Sequence, residues 1–178
     1  MIDSDLIARA LVRQDQAAFG ELVRRHQSAV RHFLRHLTRG DAALADDLAQ
    51  ETFVNAWRNL ARFQGRSSFS TWLLGIAHNH WRNARRRQRT LPIKPQHLDK
   101  LEPTPSPAPL SDLRADLGRA LSLLAPEEQT ALHLCYQQGL SHSEIAEILN
   151  WPLGTVKTHL NRGKDKLRPL LSSWNPHI

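Results

Sequence analysis

Between Ala61 and Thr90 the chain carries seven arginines, four large aromatics and no carboxylate. The arginines are Arg62, Arg66, Arg82, Arg85, Arg86, Arg87 and Arg89, and the aromatics are Phe63, Phe69, Trp72 and Trp81. Guanidinium groups neutralise phosphate, and aromatic faces stack on unpaired bases. This composition resembles a surface for single-stranded nucleic acid. A second set, Thr155, Lys157, Thr158, Asn161 and Arg162, falls on one side of a helical stretch near the C-terminus. Its donors and acceptors suit base edges and phosphates in a duplex major groove. A third set, Asp46, Asp47, Gln50, Glu51, Asn55 and Arg58, shares the polar face of an earlier helical stretch.

Charge follows the same division. The formal net charge is +7, and its distribution says more than its sum. Eight arginines cancel eight acids up to Leu60, whereas Ala61 to Thr90 alone carries seven uncompensated arginines. Two arginines face six acids from Ser111 to Asn150, and five bases face Asp165 alone from Trp151 onward. Two concentrated basic patches favour nucleic-acid contact over a general solubility surface.

Other chemistries find little support. His32 and His36 share a helix face, and His133 lies two residues before Cys135, but neither pair brings third and fourth ligands nearby in sequence. No nucleophile–base constellation and no phosphate-cradling glycine loop appears. The expectation is therefore no catalytic residue, no metal, no cofactor and no enzyme. No apolar run is long enough to span a bilayer. The stretch Met1 to Asp5 is acidic and lacks the basic start of a signal peptide. The lone Cys135 fits a reducing compartment, so a cytoplasmic location is expected.

The elements that must position these sets read as all-α: two small helical domains joined by a proline-rich linker. Six of the ten prolines fall between Pro92 and Pro109. Proline removes an amide donor and disfavours helix in the residue before it. The expected organisation is a domain over 1–90, a linker over 91–110 and a domain over 111–178. Extended at about 3.1 Å per residue, such a linker reaches roughly 60 Å. In the first domain a short helix spans Asp5 to Gln14, and Asp15 caps a long one with Phe19, Leu22, Val23, Val30, Phe33, Leu34 and Leu37 inward. Gly40 suits a left-handed stop, and Asp41 caps a third helix. Its apolar residues Ala45, Leu48, Ala49, Thr52, Phe53, Ala56, Trp57 and Leu60 recur at three and four. A loop with Gly65 as its flexible point leads to a fourth helix starting near Ser70. By spacing, Trp57 and Trp72 belong to packing, and Phe69 and Trp81 are assigned with them.

In the second domain one helix covers Ser111 to Leu124, and another runs from Pro126 to Gly139. Ser141-His142-Ser143-Glu144 reads as a capping box for a short helix over Glu144 to Leu149. Asn150-Trp151-Pro152 is a tight turn, and a last helix runs from about Leu153 to Leu170. Short helix, turn and longer basic helix make a helix-turn-helix. On the last helix Val156, Leu160, Gly163 and Leu167 face inward, and Lys164, Lys166 and Arg168 are expected near phosphates or solvent.

Three blocks of residues in this order carry a family resemblance. The first is Asp46-Asp47-Leu48-Ala49-Gln50-Glu51-Thr52-Phe53-Val54-Asn55-Ala56-Trp57-Arg58. The second is Phe63-Gln64-Gly65 with Ser68-Phe69-Ser70-Thr71-Trp72-Leu73 and Ile76-Ala77-His78-Asn79. The third is Gly139-Leu140-Ser141 with Glu144-Ile145-Ala146 and Gly154-Thr155-Val156-Lys157-Thr158. Together they resemble a bacterial RNA polymerase sigma factor of the extracytoplasmic-function (ECF) type. The resemblance covers nearly all of the chain outside the linker.

It implies that Asp46, Asp47, Gln50, Glu51, Asn55 and Arg58 contact core polymerase at the beta-prime clamp helices, with the beta flap as a second contact. It implies −10 contacts by Arg62, Phe63, Gln64, Arg66, Ser67, Asn79, Arg82, Arg85 and Arg86, with Phe63 pocketing a flipped base and Asn79 reading its neighbour. It implies −35 contacts by Thr155, Lys157, Thr158, Asn161 and Arg162, and an anti-sigma partner as regulator. Asn150 stands where the family usually has glycine, and asparagine tolerates the left-handed turn. Trp81 stands where a small residue is common.

Two other readings stay open on sequence. A stand-alone helix-turn-helix regulator would bind promoters without polymerase. A single-strand or RNA binder would show no duplex preference. Neither gives the Asp46–Arg58 face a task.

Overall fold

The computed structural model describes residues 2–90, 118 and 120–171, without the side chains of 88–90, 170 and 171. The expected linker and most of the helix expected over 111–124 lie outside the described residues. Two compact units divide the chain, one built on Met1–Lys94 and the other on Pro95–Ala146 with Trp151–Ile178. Among the described residues every regular element is helical.

The first unit contains α1 (Asp3–Val12), α2 (Gln16–Leu37), α3 (Ala42–Arg58), a 3₁₀ turn (Leu60–Arg62) and α4 (Phe69–Thr90). Short polar residues set the starts. Asp15 Oδ1 accepts from the Ala18 amide at 3.0 Å, Asp41 Oδ1 from Leu44 at 3.0 Å, and Ser68 Oγ from Thr71 at 3.0 Å. Each satisfies one amide that the first helical turn leaves without a carbonyl. The first helix stops at Val12, short of the expected Gln14, because Gln14 takes a φ of 48° and turns the chain toward the Asp15 cap. The stop of α2 also comes early. Arg39 already has a φ of 56°, and the Gly40 amide closes back on the Arg35 carbonyl at 2.9 Å.

The core of this unit is the apolar side of α2, α3 and α4. Leu22, Phe33, Leu34, Leu73, Leu74 and Ala77 are fully enclosed, with Leu6, Ile7 and Ala10 of α1 buried as well. Thr52 is buried, and its hydroxyl donates to the Leu48 carbonyl at 2.7 Å, so no polar group is stranded there. Trp57 is half-buried, with its ring 4.9 Å from that of Phe19. Phe69 is buried as expected, while Val23 and Phe53 are only partly enclosed.

The second unit contains α5 (Pro126–Leu132), a π-helical turn (His133–Gln137), α6 (His142–Leu149) and α7 (Leu153–Leu171). The single helix expected from Pro126 to Gly139 is therefore widened in its second half. The Gln138 amide reaches the His133 carbonyl five residues back at 3.2 Å, and the Leu140 amide reaches Leu134 at 3.1 Å. Gly139, at φ 67°, completes the stop. The capping box of α6 forms: the Ser141 amide donates to Glu144 Oε2 at 2.9 Å, and the Glu144 amide donates to Ser141 Oγ at 3.3 Å. Asn150 adopts the left-handed turn with φ 54°.

Helix α7 packs Val156 and Leu160 inward. Gly163 lies where an added Cβ would sit 2.8 Å from Leu132 Cδ1, so glycine lets α7 approach α5. Leu167 is only half-buried.

Candidate functional site

The six polar residues of α3 do not act as one set. Asp47, Gln50, Glu51, Asn55 and Arg58 line an open groove together with Val54, Asn59 and, from α4, His80. Asp46 is outside it, half-buried, with its Oδ1 3.4 Å from Arg31 Nε. It ties α3 to α2. Val54 is 49% exposed, an apolar side chain in the middle of a polar groove.

A second groove continues from the first on the same unit. It is lined by Asn55, Asn59, Arg62, Trp72, Ile76, Asn79, His80 and Asn83. Of the residues expected at the −10 element, only Arg62 and Asn79 belong to it. Gln64, Arg66, Arg82, Arg85 and Arg86 are exposed outside it. Phe63 and Ser67 are half-buried. Phe63 packs edge-on to Phe69 at 5.5 Å and against Trp72 at 5.3 Å. Its ring is thus one member of an aromatic cluster at the foot of the loop. Gly65, at φ 67°, bends that loop.

Trp81 is half-buried beside His78, ring centroids 5.6 Å apart, with the Arg85 guanidinium 5.4 Å from its ring. Burial, then the positive charge of Arg82, pushes the His78 pKa down to about 4. His78 is neutral at physiological pH, so the positive charge of α4 resides in its arginines.

Asn59, His80 and Asn83 are groove residues that sequence reasoning missed. A signal existed in their spacing: Asn55 and Asn59 are four apart on α3 and its cap, and Asn79 and Asn83 are four apart on α4. What joined them into one groove was the crossing of two helices, which spacing alone does not supply. A polar chain runs through the groove wall. His80 Nδ1 is 3.2 Å from Glu51 Oε2, His80 Nε2 is 3.2 Å from Asn55 Nδ2, and Asn59 Nδ2 donates to Asn55 Oδ1 at 2.7 Å.

On α7, Lys157, Thr158, Asn161 and Arg162 are exposed along one side, and Thr155 is half-buried at its start. The Thr158 hydroxyl donates to the Gly154 carbonyl at 2.8 Å, which leaves its oxygen an acceptor. Lys166 keeps the solvent exposure expected of it and is also paired. Its ammonium holds Glu128 at 2.8 and 3.0 Å, and Glu128 is buried. Burial opposes the charge of Glu128, yet the Lys166 ammonium and the Ala125 amide outweigh it and hold its carboxyl below the usual range. Lys164 lies 5.5 Å from the Tyr136 ring centroid, and Arg168 is 3.5 Å from Asp165 at the surface.

A helical protein with grooved polar and arginine-rich surfaces on one unit and a helix-turn-helix on the other fits the class of two-part nucleic-acid binders. Comparison with known proteins narrows the class. The chain matches Sigma-70 region 2 over residues 22–90 and Sigma-70, region 4 over residues 114–167. It is 35% identical over 158 residues to the RNA polymerase sigma factor CarQ of Myxococcus xanthus, covering 88% of this chain and 90% of that protein. It is 36% identical over 168 residues to the ECF RNA polymerase sigma factor SigE of Mycolicibacterium smegmatis, covering 89% of this chain and 64% of that longer protein.

Among solved structures it is similar to the sigma factor RpoE in complex with the anti-sigma factor NepR from Bartonella quintana. That likeness has a TM-score of 0.67 and 26% identity over 86% of this chain and 96% of that one. With a 30% identity to the ECF RNA polymerase sigma-E factor of Haemophilus influenzae over 96% of this chain and 98% of that protein, the chain belongs to the ECF subfamily of sigma factors, the proteins that give RNA polymerase its promoter specificity. The stand-alone regulator finds no support in these likenesses.

Proposed function

We propose that the chain docks on core RNA polymerase through the α3 groove and then reads a promoter at two places. Asp47, Gln50, Glu51, Asn55 and Arg58, with Asp46 beside them, meet the beta-prime clamp helices, and the second unit meets the beta flap. The loop around Phe63 takes up a flipped base, Asn79 reads the neighbouring unpaired base, and Arg62, Arg66, Arg82, Arg85 and Arg86 carry phosphates, with Gln64 and Ser67 on the loop. Lys157, Thr158, Asn161 and Arg162, with Thr155, contact the −35 duplex. Unstacking a base costs a few kcal/mol, and its capture in the loop offsets that cost. The chain makes and breaks no bond in this reading.

The observation that carries the proposal is the order of surfaces on one chain. Region 2 holds the exposed polar face and the arginine-rich helix, and region 4 holds the exposed basic face of α7. An anti-sigma partner is part of the proposal, supported by the complex in which the similar RpoE was solved. A cytoplasmic location is part of the same proposal, since polymerase and promoter DNA are its partners in this reading.

Run-off transcription with purified core polymerase, with and without the chain, tests this on a genomic template library. Promoter-specific transcripts that require the chain are expected. Unchanged binding and initiation by core polymerase on every template would refute the proposal.

A further inference from the structure

The polar chain between the two grooves has only one self-consistent direction. The Asn55 backbone carbonyl only accepts, so the Asn59 amide nitrogen faces it, Asn55 Oδ1 faces that same nitrogen, and His80 carries its proton on Nδ1, the side that lies 3.2 Å from Glu51 Oε2. Its Nε2 is then an acceptor, which the amide nitrogen of Asn55, a donor, requires at 3.2 Å. Asn55 therefore turns its Oδ1 the other way, toward Asn59. The Asn59 amide nitrogen donates to that Oδ1 at 2.7 Å and to the Asn55 backbone carbonyl at 3.1 Å. Both amide hydrogens of Asn59 are thereby used. Among the described residues nothing donates to Asn59 Oδ1. The residue lines the second groove with Arg62, Trp72, Asn79 and Asn83.

We infer that Asn59 is a base-reading residue presenting a fixed acceptor, and that His80 is the positioning residue that fixes it from the polymerase-docking face. This rests on the proposed function and deepens it by naming the base chemistry. An acceptor in a groove with an indole wall, one guanidinium and three further amides suits an unpaired base with an exocyclic amino group. Adenine N6, cytosine N4 and guanine N2 supply such donors. Thymine meets the acceptor with two carbonyls flanking its single N–H and is disfavoured. One neutral hydrogen bond gained or lost corresponds to roughly threefold to tenfold in occupancy. Without His80 the Asn55 amide is free to rotate, and Asn59 keeps only its bond to the Asn55 backbone carbonyl, so its outward acceptor is held by one bond instead of two.

The test uses the full chain assembled with core polymerase. The holoenzyme captures single-stranded oligonucleotides randomised over six consecutive positions, and the captured pool is sequenced. Wild type is expected to exclude thymine at one position by roughly threefold to tenfold. His80→Ala and, separately, Asn59→Ala are expected to flatten that position and leave the others. His80→Gln, whose amide can donate to Glu51 and accept from Asn55, is expected to restore the exclusion to within about twofold.

An Ala variant with the wild-type profile would overturn the inference. So would a Gln variant as flat as Ala, or a wild-type pool that shows no thymine exclusion. Run-off transcription separates the two levels. Chain-dependent transcripts with a flat wild-type pool sink only the assignment of Asn59, whereas absent transcripts sink the sigma reading and this inference with it.

Discussion

Asn79 and Phe63 share an expected task but differ in what surrounds them. Asn79 is exposed, so Asn79→Ala should weaken capture of single-stranded −10 DNA by the holoenzyme while stability stays within about 0.5 kcal/mol. Phe63 supports Phe69 and Trp72, so Phe63→Ala should weaken capture and also lower stability by roughly 1–3 kcal/mol. Urea unfolding beside oligonucleotide binding checks both, and −35 duplex binding should be spared in each. Equal loss on single-stranded and duplex DNA would contradict the division of tasks.

Glu128 gives a pH prediction at the same scale. Its carboxyl is held low in the folded state and regains its ordinary affinity for protons on unfolding. The pair with Lys166 thus stabilises above the unfolded carboxylate pKa, and the contribution is lost as pH falls through the folded value. Lys166→Met should flatten that acid loss of stability in thermal melts across pH, because the partner that holds the carboxyl low is gone. An unchanged acid limb would remove the pair from the account.

At the scale of elements, helix-to-helix approach decides which side chains remain for partners. Close packing of α7 on α5 depends on Gly163. Gly163→Val should destabilise by roughly 2 kcal/mol, since a branched side chain is forced onto Leu132 and adds strain to a filled interior. A denaturation midpoint at or above wild type would show that the interface has slack. The same helix presents Lys157 and Arg162 outward. Replacing both with alanine should lower −35 duplex affinity and reduce the slope of log affinity against log salt by about 2. An unchanged slope would take these residues off the phosphate list. The periodicity of α2, α3 and α7 was readable because each buries one continuous stripe. The π-helical turn after Leu132 was not, because the pattern of apolar residues there suits an ordinary helix and only the closing bonds to His133 and Leu134 widen it.

For the whole molecule, the two basic surfaces stand on separate compact units. Sites without shared contacts contribute nearly independently, and a common tether raises the local concentration of the second once the first is bound. Promoter binding by holoenzyme should therefore show Asn79→Ala and the Lys157→Ala, Arg162→Ala pair adding in free energy to within about 0.5 kcal/mol. A larger coupling, measured as a double-mutant cycle on one promoter, would mean that the two surfaces report to each other.

The residues alone determined the helical class, both concentrations of arginine and lysine, the caps at Asp15, Asp41 and Ser141, and the motif order that places the chain among sigma factors. Those depend on local hydrogen bonds, on periodicity and on linear spacing, all of which are written along the chain. Tertiary structure decided which polar side chains are available. It paired the exposed Lys166 with a buried carboxylate, set Asp46 against Arg31, and packed Phe63 into an aromatic cluster. It also brought His80 of one helix against Glu51 and Asn55 of another. No spacing in the sequence encodes that meeting, because the angle and register at which two helices cross are set by how their buried faces fit together.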